Sequence, residues 1–332
     1  MNKTKISAEI IADSLDSRGN RLTSLLITFP RIILAEINTH RMLSKNTSSS
    51  RAIPFKKMVE AVQNDPFVPI AWQKHHSGMQ GTEYKTGDSE IKLSELKWLE
   101  ARDNAVNSAI LLTTSDCVTK QLCNRLLEPF MWTTMLITGS KEGWDNFFNL
   151  RNPVYETEIG VFKSKRDALI SYAEGGVMAN LPTTDLEWLQ INKGQAEIHM
   201  MALAESIYDE YQNSVPLQLK ENQWHIPMIS DLESLKLSTD DQIKLSVGRA
   251  ANTSYTVVGD GKELTLEQAI KIHNKCKELN HSSVFEHCAR AMNNAEYESF
   301  YKGQIGLGGE SGWCNNFKGF IPYRYLIDNQ MM

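Results

Sequence analysis

Three groups of residues have types and spacings that could do chemistry. The first is Thr39-His40-Arg41 followed by Ser44, Asn46, Ser49 and Arg51, where a fixed arginine beside hydroxyls and free backbone amides offers the donors that hold a phosphate or pyrophosphate. A solvated loop after a helix, whose C-terminal dipole favours His40 and Arg41, would use the same residues. The second group is Arg125 with Pro129, then Asn146, Phe147, Phe148, Asn149, Leu150 and Arg151. Both arginines stand among apolar residues, where an unpaired guanidinium is costly and a carboxylate, phosphate or pyrimidine carbonyl is a good partner. Structural pairing with Glu128 or Asp145 is the alternative. The third is Ser254-Tyr255 with His281-Ser282-Ser283-Val284-Phe285-Glu286-His287. Its two histidines fall on different faces of a helix and form no HExxH pair, so no metal site is expected. A helix cap with core hydrogen bonds would need the same side chains.

These residues need elements to position them. Lys5 to Asp13 alternates in polarity, Asp16 to Asn20 supplies turn residues and Leu22 to Phe29 reads as a second strand, which predicts a β-hairpin. Pro30 suits the first position of a helix with Ile33, Leu34 and Ile37 on one face, ending near Arg41. Ser44 to Arg51 carries too many short hydroxyl side chains for a helix interior and predicts a hydrogen-bonding loop, a natural ligand site. Helical periodicity runs from Leu93 to Leu112 and from Val118 to Leu127, with Pro129 closing it, and Phe130 to Thr138 predicts a central strand. Ser140 can cap a short helix that carries Trp144, Phe147, Phe148 and Leu150 and ends at Arg151. Residues 152–193, with Pro153, Gly175-Gly176 and Pro182, read as an irregular insertion before a helix from Ala196 to Tyr211. Val215 to Ser238 is a connector, Thr265 with Gln268 forms a capping box for a helix to Leu279, and the glycines between Gly303 and Gly319 predict a mobile tail. No internal repeat is visible.

Composition bounds the partners. The 332 residues are 41% hydrophobic and 23% charged, which excludes disorder as the main state, and 35 Lys+Arg against 40 Asp+Glu leave no bulk basic field for nucleic acid. An anionic partner must then be small and gripped by local arginines. The longest apolar runs, such as Ser108 to Thr113, are too short to span a bilayer and no signal-peptide core opens the chain, so no membrane partner and a cytoplasmic location are expected. Five cysteines without a CxxC pair predict reduced, mostly buried thiols. None lies in the phosphate-gripping segments, which argues against a cysteine nucleophile.

Taken together the three groups resemble the flavin-dependent thymidylate synthases. That family is marked by Arg-His-Arg, seven residues and a serine, then an arginine two further on; Thr39-His40-Arg41, Ser49 and Arg51 reproduce it except at the first position. Its later pattern matches Trp144, Asn146-Phe147 and Leu150-Arg151, its Ala-Gln-x-Glu-Ile matches Gly194-Gln195-Ala196-Glu197-Ile198, and Arg125 with Pro129 fits the helix before the strand. The remaining signature, Arg249-Ala250-Ala251 with Ser254 and then His281 to His287, normally precedes the Arg-His-Arg segment and here comes last. The order is that of a circular permutation, as in phage-type members.

The resemblance implies an α/β (α+β) fold, a twisted, mainly antiparallel sheet flanked by helices, in one domain over 1–332 with an insertion at about 152–193. It implies a homotetramer with shared active sites, in the host cytoplasm if phage-encoded. FAD would lie against His40, Arg41, Asn46, Asn146, Ser254, Ser283 and Glu286. A deoxypyrimidine monophosphate would be held by Ser49, Arg51, Arg125 and Arg151, with Arg151 catalytic at the pyrimidine carbonyl and His281 orienting flavin or folate. Methylenetetrahydrofolate would donate the one-carbon unit and NADPH would be the reductant. The expected reaction is dUMP to dTMP; a dUMP or dCMP 5-hydroxymethylase uses the same chemistry. Glu36 and Glu142 stand where the family often has Gln and Arg, and a carboxylate suits the cytosine amino group. A non-catalytic nucleotide-binding paralogue is the reading of another class, with Thr39 and the insertion in its favour. Permutation further requires Ser254 to His287 to approach His40 to Arg51, and places the strand Cys288 to Met292 in one sheet with Leu22 to Phe29.

Overall fold

The computed structural model describes residues 5–77, 83–175, 182–254, 264–302 and 309–331. Tyr255, Gly176 and the glycines within 303–308 lie outside them. The first hairpin forms as its turn chemistry predicts: β1 (Ser7–Leu15) and β2 (Arg21–Pro30) pair antiparallel. Asp16 accepts from the Arg18 and Asn20 amides, each at 2.8 Å, and Gly19 takes φ +85°, which glycine adopts without a Cβ clash. A single 3-10 turn, Arg31–Ile33, then leads into α1 (Leu34–Asn38), burying Ile33 and Ile37. Ser44–Thr47 is a strand, β3, where a loop was expected. Its ladder bonds to a neighbouring strand outweigh the local side-chain competition that short hydroxyls usually win.

Next come α2 (Phe55–Asn64), α3 (Asp88–Thr114) and α4 (Lys120–Cys123). After a 3-10 turn over Asn124–Phe130, which contains Pro129, follow β4 (Trp132–Ser140) and α5 (Lys141–Arg151). Ser140 stands at the N-cap of α5, but its hydroxyl accepts from the Lys318 amide instead of capping the helix. β4 runs between β2 and β3, antiparallel to both, in a five-stranded sheet of order β3-β4-β2-β1-β7, where β7 is Leu217–Gln218. Leu25, Ile27, Phe29, Met135 and Ile137 form one face and pack with Trp144 and Phe147 of α5 and with Met200, Leu203 and Ile207 of α8 (Ile198–Asn213).

The described residues of the expected irregular insertion form regular elements. It holds β5 (Tyr155–Thr157), β6 (Gly160–Phe162), α6 (Lys165–Gly175) and α7 (Asp185–Ile191) around its own cluster of Tyr155, Ala168 and Trp188. Aromatic burial organised a stretch that its Gly and Pro content had marked as loop.

The opposite face of the large sheet meets a second layer. β8 (Trp224–His225), α9 (Asp231–Lys236), α10 (Thr239–Thr253) and α11 (Leu266–Glu278) precede a 3-10 turn over Ser282–Phe285 and β9 (Ala289–Ala291). The capping box of Thr265 and Gln268 forms as expected. α12 (Asn294–Ser299), the short strands β10 (Tyr301–Lys302), β11 (Glu310–Ser311), β12 (Trp313–Cys314) and β13 (Phe317–Lys318), β14 (Phe320–Pro322) and α13 (Tyr323–Asp328) complete the chain. From Trp313 on, the expected mobile tail is core: Trp313, Cys314, Phe317, Phe320 and Ile321 are buried. The strand after His287 is not in the large sheet. β9 pairs with β8 and β14 in a separate three-stranded sheet, because both edges of β2 are already taken by β1 and β4. Leu22 of β2 nevertheless shares a buried cluster with Ala289 and Ala291. Among the described residues no helix is long and apolar enough to cross a membrane.

Candidate functional site

β3 and the residues after it join the first and third chemical groups within one chain. Asn46 donates its side-chain amide to the Ala250 carbonyl, 204 positions away, and the Ser49 amide donates to the Ser254 carbonyl at 2.9 Å. Both acceptors belong to the end of α10, where carbonyls lack a helical partner. On the sheet side, Thr138 Oγ1 of β4 lies 2.9 Å from His287 Nδ1.

A cleft of about 340 Å³ opens at this junction, lined by Ser44 and Glu286 together with Asn315, Asn316, Arg324 and Tyr325. Arg324 pairs with Glu286 and lies 3.4 Å from Asp328. Burial opposes its charge, but these carboxylates raise its pKa above the ordinary value. Asn316 donates to the Arg41 carbonyl at 2.9 Å. Lys45 donates to the His40 and Ile37 carbonyls at 2.6 and 3.3 Å; burial brings its pKa down to about 8, against the pull of Glu286. The sequence reading missed these C-terminal residues, since glycine content spoke for a tail. The run Asn315-Asn316-Phe317 with Tyr323-Arg324-Tyr325 was the available signal.

Arg151 lies on the buried side of α5, one turn past Phe147. It donates from Nε to His40 Nε2 at 2.9 Å and reaches Glu36 and Thr39 Oγ1 at 3.4 Å. Its carboxylate partner is therefore Glu36, not Asp145. Burial, then Glu197, raises the Glu36 pKa, and Arg151 opposes them. Burial, Arg151 and Lys45 bring His40 down to about 4. Glu142, the second unusual carboxylate, lies 3.3 Å from Lys318.

Arg125 is exposed rather than set among apolar residues. In a 3-10 turn residues three apart share a face, and here Asn124, Leu127 and Phe130 take the inward one. Glu128 does not pair with Arg125; it meets Arg31 at 3.4 Å and accepts from the Ser50 hydroxyl. Arg31, directly after the strand-ending Pro30, is a half-buried cation that the motif reading passed over. Arg41 and Arg51 are exposed, and Ser49, Ser254, Ser283 and Glu286 are half-buried at the junction. Asn146 and His281 are exposed and do not line the cleft. Arg249 pairs with Glu233 at 2.6 Å, and that contact holds Glu233 down to about 2.

No family model and no curated protein matches the sequence. Among solved structures, the chain is similar to the UMP/dUMP methylase PolB from Streptomyces cacaoi bound with 5-Br dUMP, at 11% identity and TM-score 0.43 over 65% of this chain and 92% of that one. It is also similar to the flavin-dependent thymidylate synthase ThyX from Helicobacter pylori complexed with FAD and dUMP, at 15% identity and TM-score 0.29 over 57% of this chain and 67% of that one.

Proposed function

We propose that the protein is an enzyme that transfers a one-carbon unit from methylenetetrahydrofolate to C5 of a deoxypyrimidine monophosphate, dUMP to dTMP, with FAD as cofactor and NADPH as reductant. The observation that supports this reading is the pair of contacts from Asn46 to Ala250 and from Ser49 to Ser254, which unites motif groups from opposite ends of the chain. It is also what a circularly permuted chain requires.

The cleft suits a cofactor with a polar edge and phosphates, since Ser44, Glu286, Asn315 and Arg324 offer both donors and acceptors around one space. Flavin, when bound, supplies redox and one-carbon carrier chemistry that no side chain has. In this reading His40, Arg41, Asn46, Ser254, Ser283 and Glu286 hold it. Asn146 and His281, exposed in the single chain, contribute across a subunit boundary of a homotetramer. Ser49 and Arg51 bind the nucleotide phosphate, and Arg125 also holds the nucleotide. Arg151, kept in place by His40 and Glu36, faces the pyrimidine carbonyl and stabilises the negative charge that develops there, a role worth several kcal/mol for a preorganised cation.

Glu36 favours dCMP as a second substrate reading. Its carboxyl stands next to Arg151 and could accept from the cytosine amino group. Mass spectrometry of products from dUMP and from dCMP, with methylenetetrahydrofolate and NADPH, tests both readings: gain of a methyl supports the synthase and gain of a hydroxymethyl the 5-hydroxymethylase. Protein that stays colourless under saturating FAD and yields no product overturns the enzyme reading in favour of a binding paralogue.

A further inference from the structure

The loop carrying Ser49 and Arg51 holds more positive charge than its anions balance. The Arg31 side chain is only 14% exposed and, among the described residues, its one carboxylate contact is Glu128, at 3.4 Å. Its Nη1 donates to the Ser48 carbonyl at 2.7 Å, while Nε is buried without a partner among the described residues. Burial lowers the Arg31 pKa, Glu128 opposes that and Arg125 adds to it, so the Arg125 guanidinium is near enough to repel. Asn124 ties the turn bearing Arg125 to the loop, donating to the Ser50 and Ile53 carbonyls at 2.6 and 3.0 Å. Among the described residues, Arg31, Arg51 and Arg125 thus gather at one loop with Glu128 as the carboxylate in ion-pair contact.

We propose that Arg31, little exposed behind the phosphate-binding loop, is a further positioning residue for the nucleotide phosphate and that Glu128 is a resident anion that the incoming phosphate displaces. The proposal rests on the nucleotide reading above and adds two residues that the motif resemblance does not contain. A phosphate dianion accepts from the hydroxyls of Ser49 and Ser50 and from the exposed forks of Arg51 and Arg125, which suit it geometrically. Arg31 stays where it is, holding the loop through Ser48 and supplying charge from a poorly hydrated position, where Coulomb interactions are less screened. Glu128 offsets that partly desolvated charge in the free protein, since a desolvated cation without a partner anion is unfavourable. At 31% side-chain exposure it can turn to solvent when a like charge arrives.

The sign of one substitution separates this from a merely structural ion pair. Calorimetric titration of the full chain with dUMP, inorganic phosphate and deoxyuridine, for the parent, Glu128→Gln and Arg31→Gln, reads it directly. Glu128→Gln should bind dUMP and phosphate at least threefold tighter, because the competing anion is gone. Arg31→Gln should bind both at least tenfold more weakly, with deoxyuridine unchanged. If Arg31→Gln fails to fold, Glu128→Gln decides alone: unchanged or weaker phosphate binding overturns the proposal. A parent that binds dUMP while neither variant shifts overturns the proposal and leaves the nucleotide reading standing. A parent that binds neither dUMP nor phosphate overturns both.

Discussion

Arg151 donates from Nε to Nε2 of His40 across 2.9 Å. Guanidinium is always a donor, so His40 accepts at Nε2 and its ring is neutral in this arrangement. Burial is the largest cause of its low pKa, about 4, and Arg151 the next. Arg151→Ala should therefore move the His40 pKa upward, part of the way to 6.5, in an NMR titration of the imidazole protons. Turnover in the same variant should drop by about 10²- to 10³-fold with little change in nucleotide affinity, the signature of a group that meets charge only in the transition state. A large rise in KM at unchanged kcat would contradict the role assigned to it.

Arg51→Ala should behave in the opposite way. A phosphate contact is present in both ground and transition states, so its loss weakens apparent affinity first. Steady-state kinetics showing an unchanged KM with a depressed kcat would move Arg51 out of the phosphate site.

Two buried histidines set the response to acid. Ser14, His225, Ser24, Thr138 and His287 form a hydrogen-bonded chain between the two sheets, with links of 2.6 to 2.9 Å. Burial lowers His225 to about 4 and His287 to about 3, the latter also repelled by His225. An unfolded histidine takes up its proton near 6.5, so between that pH and the folded values the unfolded state binds more protons. Their contribution is fully present above about pH 6.5 and is lost as pH falls, on the order of 1.4 kcal/mol per pH unit for each histidine. Urea unfolding at pH 7, 6 and 5 should show that decline; a flat profile would mean water or rearrangement accommodates the charge.

The hairpin, the helix ending at Arg151, the capping box at Thr265 and the meeting of the His40 and Ser254 segments were legible because each depends on local pattern or on motif chemistry. What escaped depends on tertiary pairing. Ser44–Thr47 became a strand only because β4 offered an edge, and Trp313 to Ile321 became core only because β2, β4 and β9 leave space for them. Arg125 faced outward because a 3-10 turn replaced the expected α-helix, changing which residues share a face. The Glu36 partner of Arg151 was invisible because the ion pair joins positions 115 apart.

Gly248→Ala should weaken both fold and site. A Cβ there would stand 2.6 Å from the Ala269 Cβ and 2.7 Å from its Cα, so α10 and α11 would have to separate. Overpacking of this kind costs about 1–3 kcal/mol. Because α10 accepts the bonds from Asn46 and Ser49, flavin retention should fall along with the urea midpoint. Loss of stability with unaltered flavin content would detach the helix contact from the site.

Truncation after Asp240 tests whether the two ends of the chain form one cooperative unit. The fragment 1–240 keeps the large sheet and the cluster around Leu25, Phe29, Trp144 and Ile207. It loses α10 to α13, so Leu22 is stripped of Ala289, Ala291, Phe317 and Phe320, and Asn46 and Ser49 lose their acceptors. Thr138 loses His287, and the cleft loses Glu286 and its whole C-terminal lining. Apolar surface and the proposed cofactor contacts leave together, and ligand binding can stabilise only the state that retains them. The fragment should therefore melt well below the full chain and bind no flavin, as read by circular dichroism and by absorbance in the flavin band. A stable fragment that still binds FAD would place the whole site in the first 240 residues, which would refute both the permuted reading and the junction as its basis.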